Sequence, residues 1–166
     1  MESRKKQAEQ TEFAIITKAK DLVKHTFLMT NERRFPKKYR FTIVNRLHDL
    51  TIDIFQHIQE ANELDIADPQ EYRERRYEQK KALTKCKTVL FLIELSFENG
   101  LISDDQCAAW SKYVLDVKYM TASWRKKDRE RAVAMQRGTP PRPRADGLAA
   151  GCGAHRYNEL RIVNKE

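Results

Sequence analysis

The sequence predicts an all-α fold, an up-down-up-down four-helix bundle followed by a basic tail. Three observations carry that prediction. Apolar residues recur at spacings of three and four through four successive segments. Only Pro36, Pro69 and Gly100 interrupt the first 136 residues, which are otherwise free of helix breakers. The links between segments are short, which makes consecutive helices antiparallel neighbours.

The first helix is expected from about Arg4 to Thr30, with Phe13, Ile16, Ala19, Val23 and Phe27 on its inner face. Pro36 cannot continue a preceding helix, since it lacks an N–H and restricts the residue before it, but it suits the first turn of a new one. A second helix follows from about Lys37 to Leu64, with Phe41, Val44, Leu47, Thr51, Ile54, Ile58 and Ala61 inward. After the polar link Asp65 to Pro69, a third helix carries Leu83, Cys86, Leu90, Ile93 and Phe97, and it stops at Asn99 and Gly100. Ser103 and Gln106 form a capping box for the fourth helix, where Asp104 and Asp105 suit the positive helix end. Its seam of Cys107, Trp110, Val114, Val117, Thr121 and Trp124 follows a heptad pattern. The bundle is expected over residues 1–136. Residues 137–166 are rich in Pro, Gly and Arg without apolar periodicity, and they read as a flexible tail.

Composition narrows the function. The 166-residue chain has 32 Lys and Arg against 24 Asp and Glu, a formal charge of +8, with 34% charged residues. Its pI is near 9.4 and its mean hydropathy -0.75. Such a balance suits an anionic partner, nucleic acid first and an acidic protein face second. The three cysteines include no CxxC pair, and the opening MESRKKQAEQTE has no apolar signal core. No run approaches the 18 apolar residues of a membrane span. A reducing cytoplasm without membrane attachment is the expectation.

Catalytic signatures are missing from the sequence. The four histidines form no HExxH motif and no Glu-x-x-His pair of the di-iron type. No glycine-rich phosphate loop and no serine elbow are present. Asp49, Asp53, His57 and Glu60 share one face of the second helix, a stripe that could in principle hold a metal but that solvated face residues, or salt-bridge partners for a neighbouring helix, explain more cheaply. No catalytic residue, metal or cofactor is assigned, and the chain reads as a binding module.

Positive charge concentrates in two places. The corner before the second helix holds Arg33, Arg34, Lys37, Lys38 and Arg40, interleaved with Phe35 and Tyr39. Cations there could meet phosphates, and the rings could either stack on bases or plug the core end. The third helix carries Arg73, Arg75, Arg76, Lys80, Lys81, Lys85 and Lys87, and its apolar stripe fades where this charge peaks. These twelve residues are the candidate RNA- or polymerase-binding positions. A weaker patch runs from Arg125 to Arg131.

The order of short motifs carries a family resemblance. Phe35-Pro36 with basic neighbours is followed by Arg40-Phe41-Thr42, by Glu60-Ala61-Asn62, and by Arg73 and Arg76. Gly100-Leu101-Ile102-Ser103 and Trp124-Arg125-Lys126 complete the series. Over about residues 10 to 130 the chain resembles the Avd (accessory variability determinant) proteins of diversity-generating retroelements. They sit in a wider four-helix-bundle group with proteins encoded in intervening sequences of large-subunit ribosomal RNA genes. The resemblance implies a non-catalytic, homopentameric subunit that binds a reverse transcriptase and template-repeat RNA. It also implies a role in adenine-directed mutagenic cDNA synthesis. Met120-Thr121-Ala122-Ser123 departs from the small residues common before the family's last Trp, and the tail matches nothing in the family. A general RNA-binding or ribosome-linked role and a purely structural oligomerisation scaffold are the competing readings.

Overall fold

The four helices form in the predicted order. The computed structural model describes residues 2–31 and 35–138, with side chains from Ala14 onward. Phe13, Arg33, Arg34 and everything after Gly138 fall outside the described side chains, so the tail reading lies beyond the structure. The helices are α1 (Glu2–Met29), α2 (Asn45–Glu63), α3 (Pro69–Glu98) and α4 (Asp104–Gly138), and no strand occurs among the described residues. Each packs against two others: α1 on α2 and α4, and α3 on α2 and α4. This is the four-cornered bundle that short links between antiparallel helices produce.

Caps place the ends. Asp68 accepts hydrogen bonds from the N–H groups of Gln70 (2.7 Å) and Glu71 (2.9 Å), with Pro69 opening the helix. The bonds from Glu71 and Gln70 hold the Asp68 carboxyl below its ordinary pKa. Gly100 stops α3 at φ 68°, the left-handed region where a side chain is strained. Ser103 N–H donates to Gln106 Oε1 (3.0 Å) and Gln106 N–H donates to Ser103 Oγ (3.3 Å), so the capping box closes in both directions.

The seam of α4 is as expected, with Trp110, Val114, Val117, Thr121 and Trp124 buried, though Cys107 is only half-buried. Cys86 is fully buried and desolvation pushes its thiol up to about 12, so it serves as a small hydrophobe. Two apolar faces are rotated from expectation. In α1 the buried series is Ile15, Ala19, Leu22, Thr26 and Met29, while Phe27 is 48% exposed. The reason is polar: Thr26 Oγ1 accepts the buried Trp110 indole N–H at 3.1 Å, and Phe27 moves to the rim. In α3 the inward residues are Ala82, Cys86, Val89, Leu92, Ile93 and Ser96. Leu83 and Leu90 are half-buried there and Phe97 is exposed.

The corner before α2 is not regular α-helix. A 3₁₀ turn (Lys37–Tyr39) runs into a π turn (Arg40–Val44), and Val44 then leads into α2. Ile43 and Val44 are buried, but Phe41, expected on the inner face, is 80% exposed. A hydrogen-bond spacing of five residues advances less angle per residue than an α-helix does. Three steps back from Val44 therefore leave Phe41 farther round the turn, facing solvent. Leaving such a ring in water forgoes about 1.5–3 kcal/mol of burial energy. Phe35 is 5% exposed and Tyr39 packs partly on the core, so these two rings plug the bundle end.

His48 secures the same corner. Its Nε2 lies 2.6 Å from Thr30 Oγ1, and its ring stacks on Phe27 at 3.9 Å between centroids. Thr30 donates its own hydroxyl to the Thr26 carbonyl (2.8 Å), which leaves Oγ1 to accept from the His48 N–H. Burial lowers the His48 pKa, partly offset by the negative charge of Asp49. With the folded value below the unfolded 6.5, the unfolded chain binds the proton first as pH falls. This contribution to stability is complete above about pH 6.5 and is lost as pH falls through the folded value. The melting temperature should drop less between about pH 7 and pH 5 in His48→Gln than in the wild type. An equal drop in both would show that other groups carry the acid sensitivity.

Candidate nucleic-acid interface

Two helices that pack side by side turn part of the basic sequence into one groove. Arg46 and Leu50 of α2 face Tyr77, Lys80, Lys81, Thr84, Lys85 and Thr88 of α3 across a hollow of about 320 Å³. The lining holds four cations and no carboxylate. Two of the cations are already engaged by acids beside the groove. Lys85 Nζ is 2.7 Å from Asp53 Oδ2, and Lys81 Nζ is 2.8 Å from Glu78 Oε1 while lying 4.5 Å from the centre of the Tyr77 ring. Arg46 and Lys80 are exposed and have no ion pair among the described residues. Lys87, seven positions beyond Lys80 on α3, is likewise exposed. A groove with this charge can hold a phosphodiester backbone, and the exposed Tyr77 ring adds an aromatic surface.

The other predicted cations divide by location. Lys37, Lys38 and Arg40 are exposed at the corner, with Lys38 Nζ 4.8 Å from the Tyr39 ring centre. Arg73 is exposed and donates from Nε to the Pro69 carbonyl (3.1 Å). Arg76 lies against Tyr72, with Nη1 3.4 Å from the phenol oxygen. Arg33 and Arg34 lie outside the described residues. Arg46 was missed by the sequence reading. It stands apart from both basic clusters, and only the packing of α2 on α3 brings it opposite Lys80.

Arg75 is a correction, because it is a core residue at 3% exposure. Its Nε donates to Asp128 Oδ2 (2.8 Å), and its Nη1 donates to the carbonyls of Ala61 and Leu64 (2.9 Å each). The guanidinium also lies 4.6 Å from the ring centre of Trp124. One side chain thus satisfies carbonyls at the α2 C-terminus and ties α3 to α4. Gln79 donates to the same Asp128 Oδ2 at 2.7 Å, and Arg131 lies 3.5 Å from Oδ1. The missing apolar stripe in the first half of α3 is therefore a buried polar seam of Arg75 and Gln79. Arg75 takes no part in the outer surface.

Of the acids in the α2 stripe, Asp53 pairs with Lys85 of α3. His57 Nδ1 stands 2.7 Å from Glu78 Oε2 and 3.2 Å from Glu60 Oε2. Gln56 donates to Glu60 Oε1 at 2.7 Å, and this bond is the main reason the Glu60 carboxyl sits below its ordinary pKa. His57, Glu60 and Glu78 offer donor atoms within 4.8 Å of one another, the one trio among the described residues with the spacing to hold a metal ion. Lys81 contacts Glu78 as well, so the imidazole, the two carboxylates and one ammonium join in a single contact set.

A second hollow, of about 600 Å³, follows Lys126, Arg129, Glu130, Val133, Ala134 and Arg137. All six belong to α4 and include an acid, so the α2–α3 groove is the better cationic site. No helix among the described residues is long and apolar enough to cross a membrane. Comparison with protein-family models, with curated proteins and with solved structures gives no match.

Proposed function

We propose that this chain is a non-catalytic, RNA-binding accessory subunit that joins a reverse transcriptase to its template-repeat RNA in a diversity-generating retroelement. The observation that carries the RNA-binding part is the α2–α3 groove, where Arg46 and Lys80 face each other without carboxylates in the lining. The retroelement and the polymerase come from the ordered motifs between Phe35 and Lys126 that resemble the Avd family. The chain acts in the cytoplasm, a reading drawn from its cysteine usage, and assembles as a homopentamer, a reading drawn from the resemblance. Exposed Phe91 (58%) and Tyr119 (63%) supply apolar surface that assembly could cover.

Reconstitution tests this reading. Purified chain, reverse transcriptase and template-repeat RNA together should give mutagenic cDNA that polymerase and RNA alone do not. Equal yield and error pattern without the chain would refute it. Light scattering at micromolar concentration should return about five times the 19.6 kDa chain mass. A single-chain mass would remove the oligomer.

A further inference from the structure

His57, Glu60 and Glu78 bring one donor atom each to a common point between α2 and α3. His57 and Glu60 are neighbours one turn apart on α2, and Glu78 reaches across from α3. His57 Nδ1 is 3.2 Å from Glu60 Oε2 and 2.7 Å from Glu78 Oε2, and the three donor atoms lie within 4.8 Å of one another. The second oxygen of each carboxylate is already held from outside. Gln56 Nε2 donates to Glu60 Oε1 at 2.7 Å, and Lys81 Nζ donates to Glu78 Oε1 at 2.8 Å. Outer hydrogen bonds of this kind orient ligating carboxylates, and here they leave both Oε2 atoms facing the imidazole. The side chains of His57 and Glu78 are each 14% exposed and that of Glu60 is 42% exposed, so the cluster is sheltered on one side and open to an ion on the other.

Hydrogen bonding leaves this cluster incomplete. Nδ1 carries one proton at most, and two carboxylate oxygens face it. A proton aimed at Glu60 leaves Glu78 Oε2 buried without a hydrogen bond, although the ring nitrogen is 2.7 Å away. Lys81 offsets only one of the two negative charges. A divalent cation would answer both carboxylates and the Nδ1 lone pair at once. An imidazole with two carboxylates suits zinc, whereas magnesium and calcium favour oxygen donors throughout. Two zinc ligands at the tetrahedral angle stand about 3.3 Å apart, so the 3.2 Å pair fits as it is and the 2.7 Å pair opens slightly on binding. We propose that His57, Glu60 and Glu78 form a zinc site that clamps α2 to α3, with the fourth position open to solvent beside Glu60. The inference stands apart from the RNA-binding reading and does not rest on it.

The test titrates the chelator-treated full chain with zinc chloride by calorimetry and repeats the thermal melt with the metal present. One zinc should bind per chain, and zinc at about 100 times its Kd should raise the melting temperature by about 5–10 °C. Loss of an outer hydrogen bond already weakens a metal site by about 10–100-fold, so Glu60→Gln and Glu78→Gln, each of which removes a ligand charge, should weaken zinc at least as much. Glu60 is the exposed member, so the metal-free Glu60→Gln protein should melt with the wild type and keep the test valid even if Glu78→Gln folds poorly. Cobalt(II) in place of zinc should give visible d–d absorption without the near-ultraviolet charge-transfer band of a thiolate ligand. That band would put the metal on a cysteine, with Cys152 and His155 of the tail sequence the first suspects, and would overturn the site. No zinc-dependent rise in the wild type, or unchanged zinc affinity in Glu60→Gln, overturns it as well.

Discussion

Replacing Asp128 with Ala is expected to destabilise the bundle by about 3–5 kcal/mol, because it leaves the Arg75 guanidinium buried without its counter-charge. Asp128 is fully buried, Arg75 is 3% exposed, and Gln79 would lose its acceptor in the same step. A loss of that size should lower the melting temperature by about 10–20 °C in a domain of this length. Arg75→Ala should cost at least as much, since the carbonyls of Ala61 and Leu64 also lose their donor. The double variant Arg75→Met, Asp128→Leu should recover most of the loss, because apolar side chains of similar volume tolerate the site where one lone charge does not. Thermal melts of the four proteins decide the matter. If Asp128→Ala melts within about 3 °C of the wild type, water reaches the pair and the network is peripheral to stability.

The same network marks where sequence reasoning stops. Apolar periodicity located α4 and the later part of α2, because Leu47, Ile54, Ile58, Val114 and Val117 are both apolar and buried. It failed where the core is polar. Thr26, Arg75, Gln79 and Asp128 are buried through hydrogen bonds to partners far along the chain, such as the 53-residue step from Arg75 to Asp128. No local spacing rule reports such a partner, so Arg75 counted as surface charge. Phe41 failed differently, since a single π turn shifts the angular phase that a 3.6-residue rule assumes. Within the site, the Lys residues of α3 were visible as a run, whereas Arg46 joins them only through the packing of two helices. The caps at Asp68, Gly100 and Ser103 rest on chemistry within a few residues. Ser103 and Gly100 were legible for that reason, although the Asp68 side chain was overlooked.

Changing Arg46, Lys80 and Lys87 together to Gln should weaken RNA binding and flatten its salt dependence. These cations are exposed and hold no ion pair among the described residues, so their charge is available to phosphates. Three lost contacts at about 0.7 each should reduce the log-log salt slope by about 2 per site on a single strand. Counterion release alone then predicts about 100-fold weaker binding at 0.1 M salt, with the deficit shrinking as salt rises. Folding should hardly respond, because exposed substitutions away from caps and core usually stay within about 0.5 kcal/mol. Lys81 and Lys85 make a useful contrast. Glu78 and Asp53 already offset their charges, so Lys81→Gln with Lys85→Gln should change the slope less and the stability more. Filter binding over a salt series, with circular dichroism to confirm helicity, separates these effects. An unchanged slope together with a collapse of polymerase binding would make the groove a protein-docking face and send the search for RNA contacts to Lys37, Lys38 and Arg40. If neither partner is affected, the groove charges serve only solvation and the proposed function loses its principal support.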